Sequence, residues 1–194
     1  MKIIKRLPII IIVAIWISQG IFQLIVAVQL RTFLPVLLAA ESVLVGYRLL
    51  HRRQSTENPH PWFIRAAILF SIFLAPMMLR IERSVSILGT LVSSVGLMLT
   101  LWAMWSLGES FGIAPANRGL VTHGPYRFIR HPMYTGELIN YSMVVLWNPT
   151  TWNLVLLGVI ISFLFLRIRL EERTVHDYDQ YATRVRWRIV PYVW

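Results

Sequence analysis

Two short stretches concentrate the residue types that could do chemistry. The first, residues 123–137, reads HGPYRFIRHPMYTGE and packs paired His, Arg, Tyr, Gly and Pro residues into one segment. The residue before a proline is pushed out of the helical region, so Gly124-Pro125 and His131-Pro132 predict a rigid, folded turn. We call this segment the elbow. Anchoring at a membrane surface does not need this spacing of Pro and Gly, so we expect the elbow to belong to a site.

The second stretch, RIRLEER at 167–173, follows directly from the last apolar run. On a helix, Arg167 and Glu171 lie four residues apart and therefore share a face. Taken alone, this stretch is typical of a solvated helix end whose ion pairs each contribute about 0.3–0.5 kcal/mol. A guanidinium can also hold a carboxylate through two parallel hydrogen bonds, so the stretch is a candidate site as well.

Several kinds of chemistry are excluded by composition. The 194 residues contain no Cys, which removes disulfides, thiolate metal sites, iron–sulfur clusters and Cys nucleophiles. No G-x-G-x-x-G segment follows a strand pattern, so a soluble Rossmann enzyme is excluded. The five His residues lack H-x-x-x-H or H-E-x-x-H spacing, and we expect no metal.

Long apolar runs must position the two stretches. The chain is 56% hydrophobic and 14% charged, whereas soluble domains carry about 25% charged residues. Apolar runs at 7–30, 33–50, 62–79 and 85–107 predict membrane-spanning helices. A fifth run, 138–166, is broken at Asn148-Pro149, where a proline cannot continue a helix. We predict an all-α integral membrane protein, a helical bundle of about five transmembrane helices, the last a broken helix or a hairpin.

Basic residues fix the expected topology. All Lys and Arg residues except Arg31, Arg80 and Arg83 fall on one side if 138–166 is a hairpin. Such a split predicts that both termini, the elbow and the tail are cytoplasmic in a multi-pass protein. The net charge of +10 therefore suits the anionic headgroups of the bilayer better than nucleic acid. We expect one domain over 1–194, with N-terminal spans at 1–84 and a functional core at 85–194.

The elbow, the hairpin, the pair Glu171-Glu172 and the tail residues Tyr178 and Tyr181 together resemble the isoprenylcysteine carboxyl methyltransferase family. The family pattern G-x-Y-x-x-x-R-H-P-x-Y-x-G is filled by Gly124, Tyr126, Arg130, His131, Pro132, Tyr134 and Gly136. The resemblance covers roughly residues 85–194 and extends more broadly to phospholipid N-methyltransferases and, distantly, to membrane sterol reductases. The tail here is shorter than is usual, with Glu172 six residues before Tyr178.

This resemblance implies a membrane methyltransferase domain with a cytosol-facing pocket for S-adenosylmethionine, which leaves as S-adenosylhomocysteine. Its acceptor would be the carboxylate of a lipid-linked, prenylcysteine-like substrate that enters from the bilayer, and Arg167 would face that carboxylate as the catalytic residue. By motif, the cofactor-binding residues would be Arg118, Gly119, Leu120, Val121, Tyr126, His131, Pro132, Met133, Tyr134 and Glu171. A carboxylate is already ionised at neutral pH, so such a reaction needs no general base.

Other functions stay open on sequence grounds. A phospholipid amine N-methyltransferase would have to deprotonate its acceptor, and Arg167 beside the acceptor would disfavour a cation. A reductase relative would bind a nicotinamide cofactor, and a non-catalytic membrane subunit or small transporter would bind neither. Transporters usually show repeated halves, which this chain lacks.

Polar residues inside the apolar runs also need an explanation. Glu41 lies within the second run and is a functional hypothesis by default. Gln19 and Gln23, one turn apart, are more typical of hydrogen bonding between helices. In the tail, Tyr178, Tyr181, Val185 and Ile189 are spaced as an apolar helical stripe that would dock on the bundle.

Overall fold

The computed structural model describes residues 7–55, 60–80 and 86–191, and these residues form helices and loops without any β-strand. The helices are α1 (Leu7–Leu30), α2 (Leu34–His51), α3 (Trp62–Met77), α4 (Ile87–Leu107), α5 (Pro132–Trp147), α6 (Thr151–Thr174) and α7 (Tyr178–Arg184). Short 3₁₀ turns lie at Gly108–Ser110 and Gly124–Arg127. The predicted all-helical architecture is confirmed.

Four helical segments are long and apolar enough to cross a membrane. They are Ile9–Gln29, Leu34–His51, Ile87–Ser110 and Thr151–Thr174. Their outer faces expose large apolar side chains such as Phe22, Val28 and Ile87, as a surface that meets lipid tails should. At 16 residues each, α3 and α5 are shorter than the roughly 20 residues of a full span. The molecule therefore has the architecture of an integral membrane helical bundle.

The broken apolar region is a hairpin. Tyr134, at the start of α5, donates its hydroxyl to Glu171 near the end of α6, so the two helices run antiparallel. Thr150 caps α6 by accepting the backbone N–H of Asn153 at 3.1 Å. The fully buried Asn153 amide then donates to the carbonyls of Asn148 and Arg80, at 2.8 Å each. These bonds replace the helical pairing that the proline interrupts.

The first turns of α5 are positioned by a close contact with α4. A Cβ added at Gly96 would lie 2.9 Å from the carbonyl oxygen of Gly136, and a Cβ at Gly136 would lie 2.9 Å from the backbone nitrogen of Thr100. Small residues at such crossings let two backbones approach in a membrane, where dispersion contacts replace the hydrophobic effect. This contact fixes the turn of α5 that carries Met133, Tyr134 and Glu137.

The tail differs from its predicted form. Helix α7 ends at Arg184, and the helical stripe predicted to continue through Val185 and Ile189 is wrong for those two residues. Residues 185–189 instead form a non-helical segment, the strap, that lies along the elbow. The backbone N–H of Arg130 donates to the Trp187 carbonyl, and that of His131 donates to the Arg188 carbonyl, each at 2.8 Å. N–H groups ahead of a helix have no helical acceptor, and the strap supplies one.

Candidate functional site

A cleft opens where the loop after α4, the elbow, the end of α6 and α7 meet. Its empty volume is about 720 Å³, which includes space open to solvent. Every predicted cofactor residue except Pro132 lines it: Arg118, Gly119, Leu120, Val121, Tyr126, His131, Met133, Tyr134 and Glu171. Pro132 is buried as the first residue of α5. The structure thus brings these residues together, and their role toward a cofactor stays a prediction.

Glu172 is the centre of the hydrogen bonding that holds the elbow to the tail. It accepts from Arg188 at 2.8 and 3.1 Å and from Arg130 at 3.3 Å. The hydroxyl of Tyr178 donates to it at 3.3 Å, and a ring nitrogen of His131 lies 3.4 Å away. This carboxylate therefore holds His131 in the cleft wall together with Tyr178, whose hydroxyl lies 3.0 Å from Nε2 of His131. No separate role for Glu172 could be predicted from the sequence, because its partners lie up to 42 positions away.

Tyrosines form a second wall of the cleft. The rings of Tyr178 and Tyr181 meet edge to face with centroids 5.6 Å apart, and Tyr181 donates its hydroxyl to the Tyr126 carbonyl at 2.5 Å. Burial raises the pKa of Tyr181 to about 12 and raises the pKa of Tyr178 further. Both stay neutral hydrogen-bond donors at physiological pH. The helical spacing had indicated a docking stripe for these two residues, and the structure shows that they also line the cleft.

Arg118 provides a cation in the loop wall of the cleft. Its guanidinium packs against Gly112, where any Cβ would collide with it, and donates to the Ala114 carbonyl at 3.2 Å. Its Nε is buried without a hydrogen-bond partner. Burial, together with the nearby Arg52, lowers the pKa of Arg118 to about 10, which still leaves it charged at neutral pH. A buried cation with a spare N–H is suited to an incoming anion.

Arg167 lies outside this cleft. It is 4% exposed, and its guanidinium sits over the ring of Tyr134 at 4.5 Å from the centroid. Among the described residues, its carboxylate partner is Glu137, at 4.0 Å, rather than the Glu171 that helical spacing had indicated. Tyr134 therefore stands between Arg167 and Glu171, with one contact to each.

A larger cavity lies inside the bundle of α1–α5. This membrane cavity encloses about 1730 Å³, part of it open space. Its polar lining includes Gln19, Gln23, Glu41, Glu137, Asn140 and Tyr141. A smaller cavity of about 430 Å³, the junction cavity, is lined by Arg167 and shares Glu41 and Glu137 with the larger one. Met133 lines both the junction cavity and the cleft, so a single layer of side chains separates the two.

Parts of the chain are similar to known proteins. The family model described as phospholipid methyltransferase matches residues 84–182. The chain is also similar to a protein of Bacillus subtilis (strain 168) named "Uncharacterized protein YpbQ", with 25% identity over 131 residues that cover 63% of this chain and 77% of that protein. No solved structure matches the chain. The matched family region contains α4, the elbow, the hairpin and most of α7.

Proposed function

Because the chain belongs to the phospholipid methyltransferase family, we propose that it is an S-adenosylmethionine-dependent methyltransferase that acts on a lipophilic acceptor at the membrane. One observation carries this proposal. The cleft that gathers the predicted cofactor residues is separated from a cavity within the bundle only by Met133 and its neighbours. Methyl transfer between a water-soluble donor and a membrane-dissolved acceptor needs two such compartments that meet at one point.

The residues of the cleft fit the cofactor chemically. S-adenosylmethionine carries a carboxylate, an ammonium, ribose hydroxyls and an adenine. Arg118, with its unpartnered Nε, suits the carboxylate, and Glu171 suits hydroxyl or ammonium donors. Leu120, Val121 and Val175 provide apolar surface in the same cleft for the adenine. When bound, the cofactor supplies a methyl group on a positively charged sulfur.

The protein's own contribution is orientation and exclusion of water. Tyr134 is 1% exposed and is held from one side by Glu171 and from the other by Arg167. It therefore fixes the boundary across which the methyl group passes. Well-oriented reactants can gain about 7–11 kcal/mol of the barrier, and a dry boundary strengthens the local electrostatics.

Two classes of acceptor are compatible with this boundary. A lipid-linked carboxylate, such as that of a prenylated cysteine, is supported by the buried guanidinium of Arg167 beside the junction cavity. A phospholipid amine is supported by the family match and by Glu41 and Glu137 in the cavity lining. In both cases the apolar part of the acceptor would enter from the bilayer between the helices.

Calorimetric binding of S-adenosylhomocysteine to detergent-purified protein tests the proposal. We expect micromolar binding by the wild type. His131→Ala and Glu171→Ala should each weaken it, because a hydrogen bond to a charged group contributes about 1.5–3 kcal/mol, roughly 10- to 150-fold in Kd. Asp179→Asn is the matched control, since Asp179 is exposed and outside the cleft lining. A folded wild type that does not bind S-adenosylhomocysteine would reject the proposed function in favour of a nicotinamide-binding or non-catalytic protein.

A further inference from the structure

Several of the polar side chains that line the membrane cavity have no hydrogen bond within the described residues. Within residues 7–55, 60–80 and 86–191, hydrogen-bond partners are lacking for the side chains of Gln19, Gln23, Glu41, Asn140 and Tyr141. Polar groups at membrane depth are costly and usually pair with one another or with backbone carbonyls. Their common orientation into one cavity therefore points to a polar group that arrives with a ligand.

Charge in the junction cavity limits what that group can be. Arg167 is the basic residue that lines it, and Glu137 already accompanies this cation at 4.0 Å. Glu41 lines the same cavity with no basic partner among the described residues. Glu171 adds a further carboxylate behind Tyr134. A methyl acceptor that arrived as a carboxylate would add another anion to a cluster in which acidic groups already outnumber the guanidinium. An N–H or O–H group of the methyl acceptor could instead donate a hydrogen bond to one of these acidic side chains.

The position of Glu137 is suited to proton transfer. It lies on α5 one turn beyond Met133 and Tyr134, so all three share a face of that helix. Arg167 holds its carboxylate, and the buried Nε of Arg167 remains without a hydrogen-bond partner. Glu137 lines both the junction cavity and the membrane cavity. It is therefore the carboxylate that an acceptor reaches just before the boundary with the cleft.

We propose, on the premise of the proposed function, that Glu137 is a catalytic residue that takes the proton of a protic head group, a hydroxyl or an amine, on an amphiphilic acceptor. Arg167 positions that carboxylate, and Glu41 helps to orient the head group. In the reaction, the new O–CH₃ or N–CH₃ bond forms as the S–CH₃ bond breaks, and the electron pair of the broken bond stays on sulfur. The acceptor proton moves to Glu137, so a sulfonium and a carboxylate become a neutral thioether and a carboxylic acid.

Three probes of equal chain length test this assignment: para-dodecylphenol, dodecylamine and dodecanoic acid. Protein in lipid nanodiscs is given each probe with methyl-labelled S-adenosylmethionine. We expect the wild type to methylate the phenol or the amine but not the acid, and the phenol and amine arms identify which protic group is used. Glu137→Gln should lower kcat on the accepted probe at least about 100-fold, the usual scale of general base catalysis, with a smaller change in KM.

Binding of S-adenosylhomocysteine distinguishes a failure of the role of Glu137 from a failure of the proposed function. Binding of S-adenosylhomocysteine should be unchanged in Glu137→Gln, which also shows that the variant is folded, and Glu137→Asp should keep part of the rate. Glu109→Gln is the control, because its ion pair with Arg53 is 62% exposed on both sides. Methylation of the acid, an unchanged kcat in Glu137→Gln, or transfer to neither protic probe by protein that binds S-adenosylhomocysteine would each overturn the role of Glu137. Failure of the wild type to bind S-adenosylhomocysteine would instead reject the proposed function.

Discussion

The cleft and the membrane cavity differ in how their polar groups are satisfied. On the cleft side, Glu172 alone has four side-chain partners drawn from the elbow and the tail. On the side of the membrane cavity, Glu41 and Asn140 have no hydrogen-bond partner among the described residues. Satisfied buried networks rigidify a structure, whereas unsatisfied polar groups cost stability and persist where function requires them. The cleft is therefore the more rigid of the two compartments, which suits the proposed cofactor site, and the cavity offers polar groups to the proposed acceptor.

The largest effect is expected for Glu172→Gln, on the cleft side of this contrast. Removing the charge leaves Arg130 and Arg188 without their carboxylate, and breaking a largely buried pair costs about 3 kcal/mol. We expect a clear loss of thermal stability in detergent and weaker binding of S-adenosylhomocysteine, because the strap no longer holds His131. Glu109→Gln makes the same chemical change at an exposed pair, where about 0.5 kcal/mol or less is expected. Equal effects of the two substitutions would contradict the central role of Glu172.

A second test disturbs α5, the helix whose residues line both the cleft and the membrane cavity. Gly136→Ala would place a methyl group against the backbone of Gly96 and Thr100. Overpacking of this kind typically lowers the free energy of unfolding by about 1–3 kcal/mol. It should also displace the turn that carries Tyr134. Thermal unfolding and binding of S-adenosylhomocysteine should both weaken. Gly158→Ala is the matched control, since a Cβ there meets nothing within 4 Å and alanine is the better helix former. Similar destabilisation in both variants would argue against a specific contact between α4 and α5.

A third test concerns the tyrosine wall at high pH. Because the fold raises the pKa of Tyr181 to about 12, from an unfolded value near 10, its contribution to stability is complete below pH ~10. That contribution is lost as the pH rises toward about 12. Tyr181→Phe also removes the bond to the Tyr126 carbonyl, which should cost about 1 kcal/mol near neutral pH.

The difference in free energy of unfolding between wild type and Tyr181→Phe should therefore narrow as the pH rises from about 10 toward about 12. Denaturation series at several pH values measure this difference. A gap that stays constant over that range would show that the Tyr181 hydroxyl is not kept neutral by the fold.

The smallest effect is expected for Glu41→Gln. No described residue forms a hydrogen bond or ion pair with this side chain, so the substitution should change thermal stability by no more than about 0.5 kcal/mol, as for other substitutions that break no contact. Acceptor methylation should nevertheless fall, because a carboxylate that faces the head group is lost. A loss of stability comparable to that of Glu172→Gln would mean that Glu41 has a structural partner, and the contrast between the two compartments would fail.

The sequence predicted much of this arrangement and missed specific parts. Local signals sufficed for the helices and for the turn at Asn148-Pro149, because apolar runs and proline act on their own segment. The elbow motif located five residues of the cleft lining, namely Tyr126, Arg130, His131, Met133 and Tyr134. The partners of Arg167 and Glu172 could not be predicted, since helical spacing indicates only neighbours on the same helix. The strap was missed for a similar reason. Val185 and Ile189 have helical spacing, but the carbonyls of the strap accept hydrogen bonds from backbone N–H groups of the elbow, and the segment is not helical.

The strap also imposes an order on assembly. Residues 185–189 follow all the described helices in the chain, yet the backbone of the elbow depends on them for two of its hydrogen bonds. During synthesis Arg130 leaves the ribosome more than 50 residues before its partners in the strap. The hairpin can therefore insert into the bilayer while the wall of the cleft is still incomplete, and this wall closes only after the strap has been made.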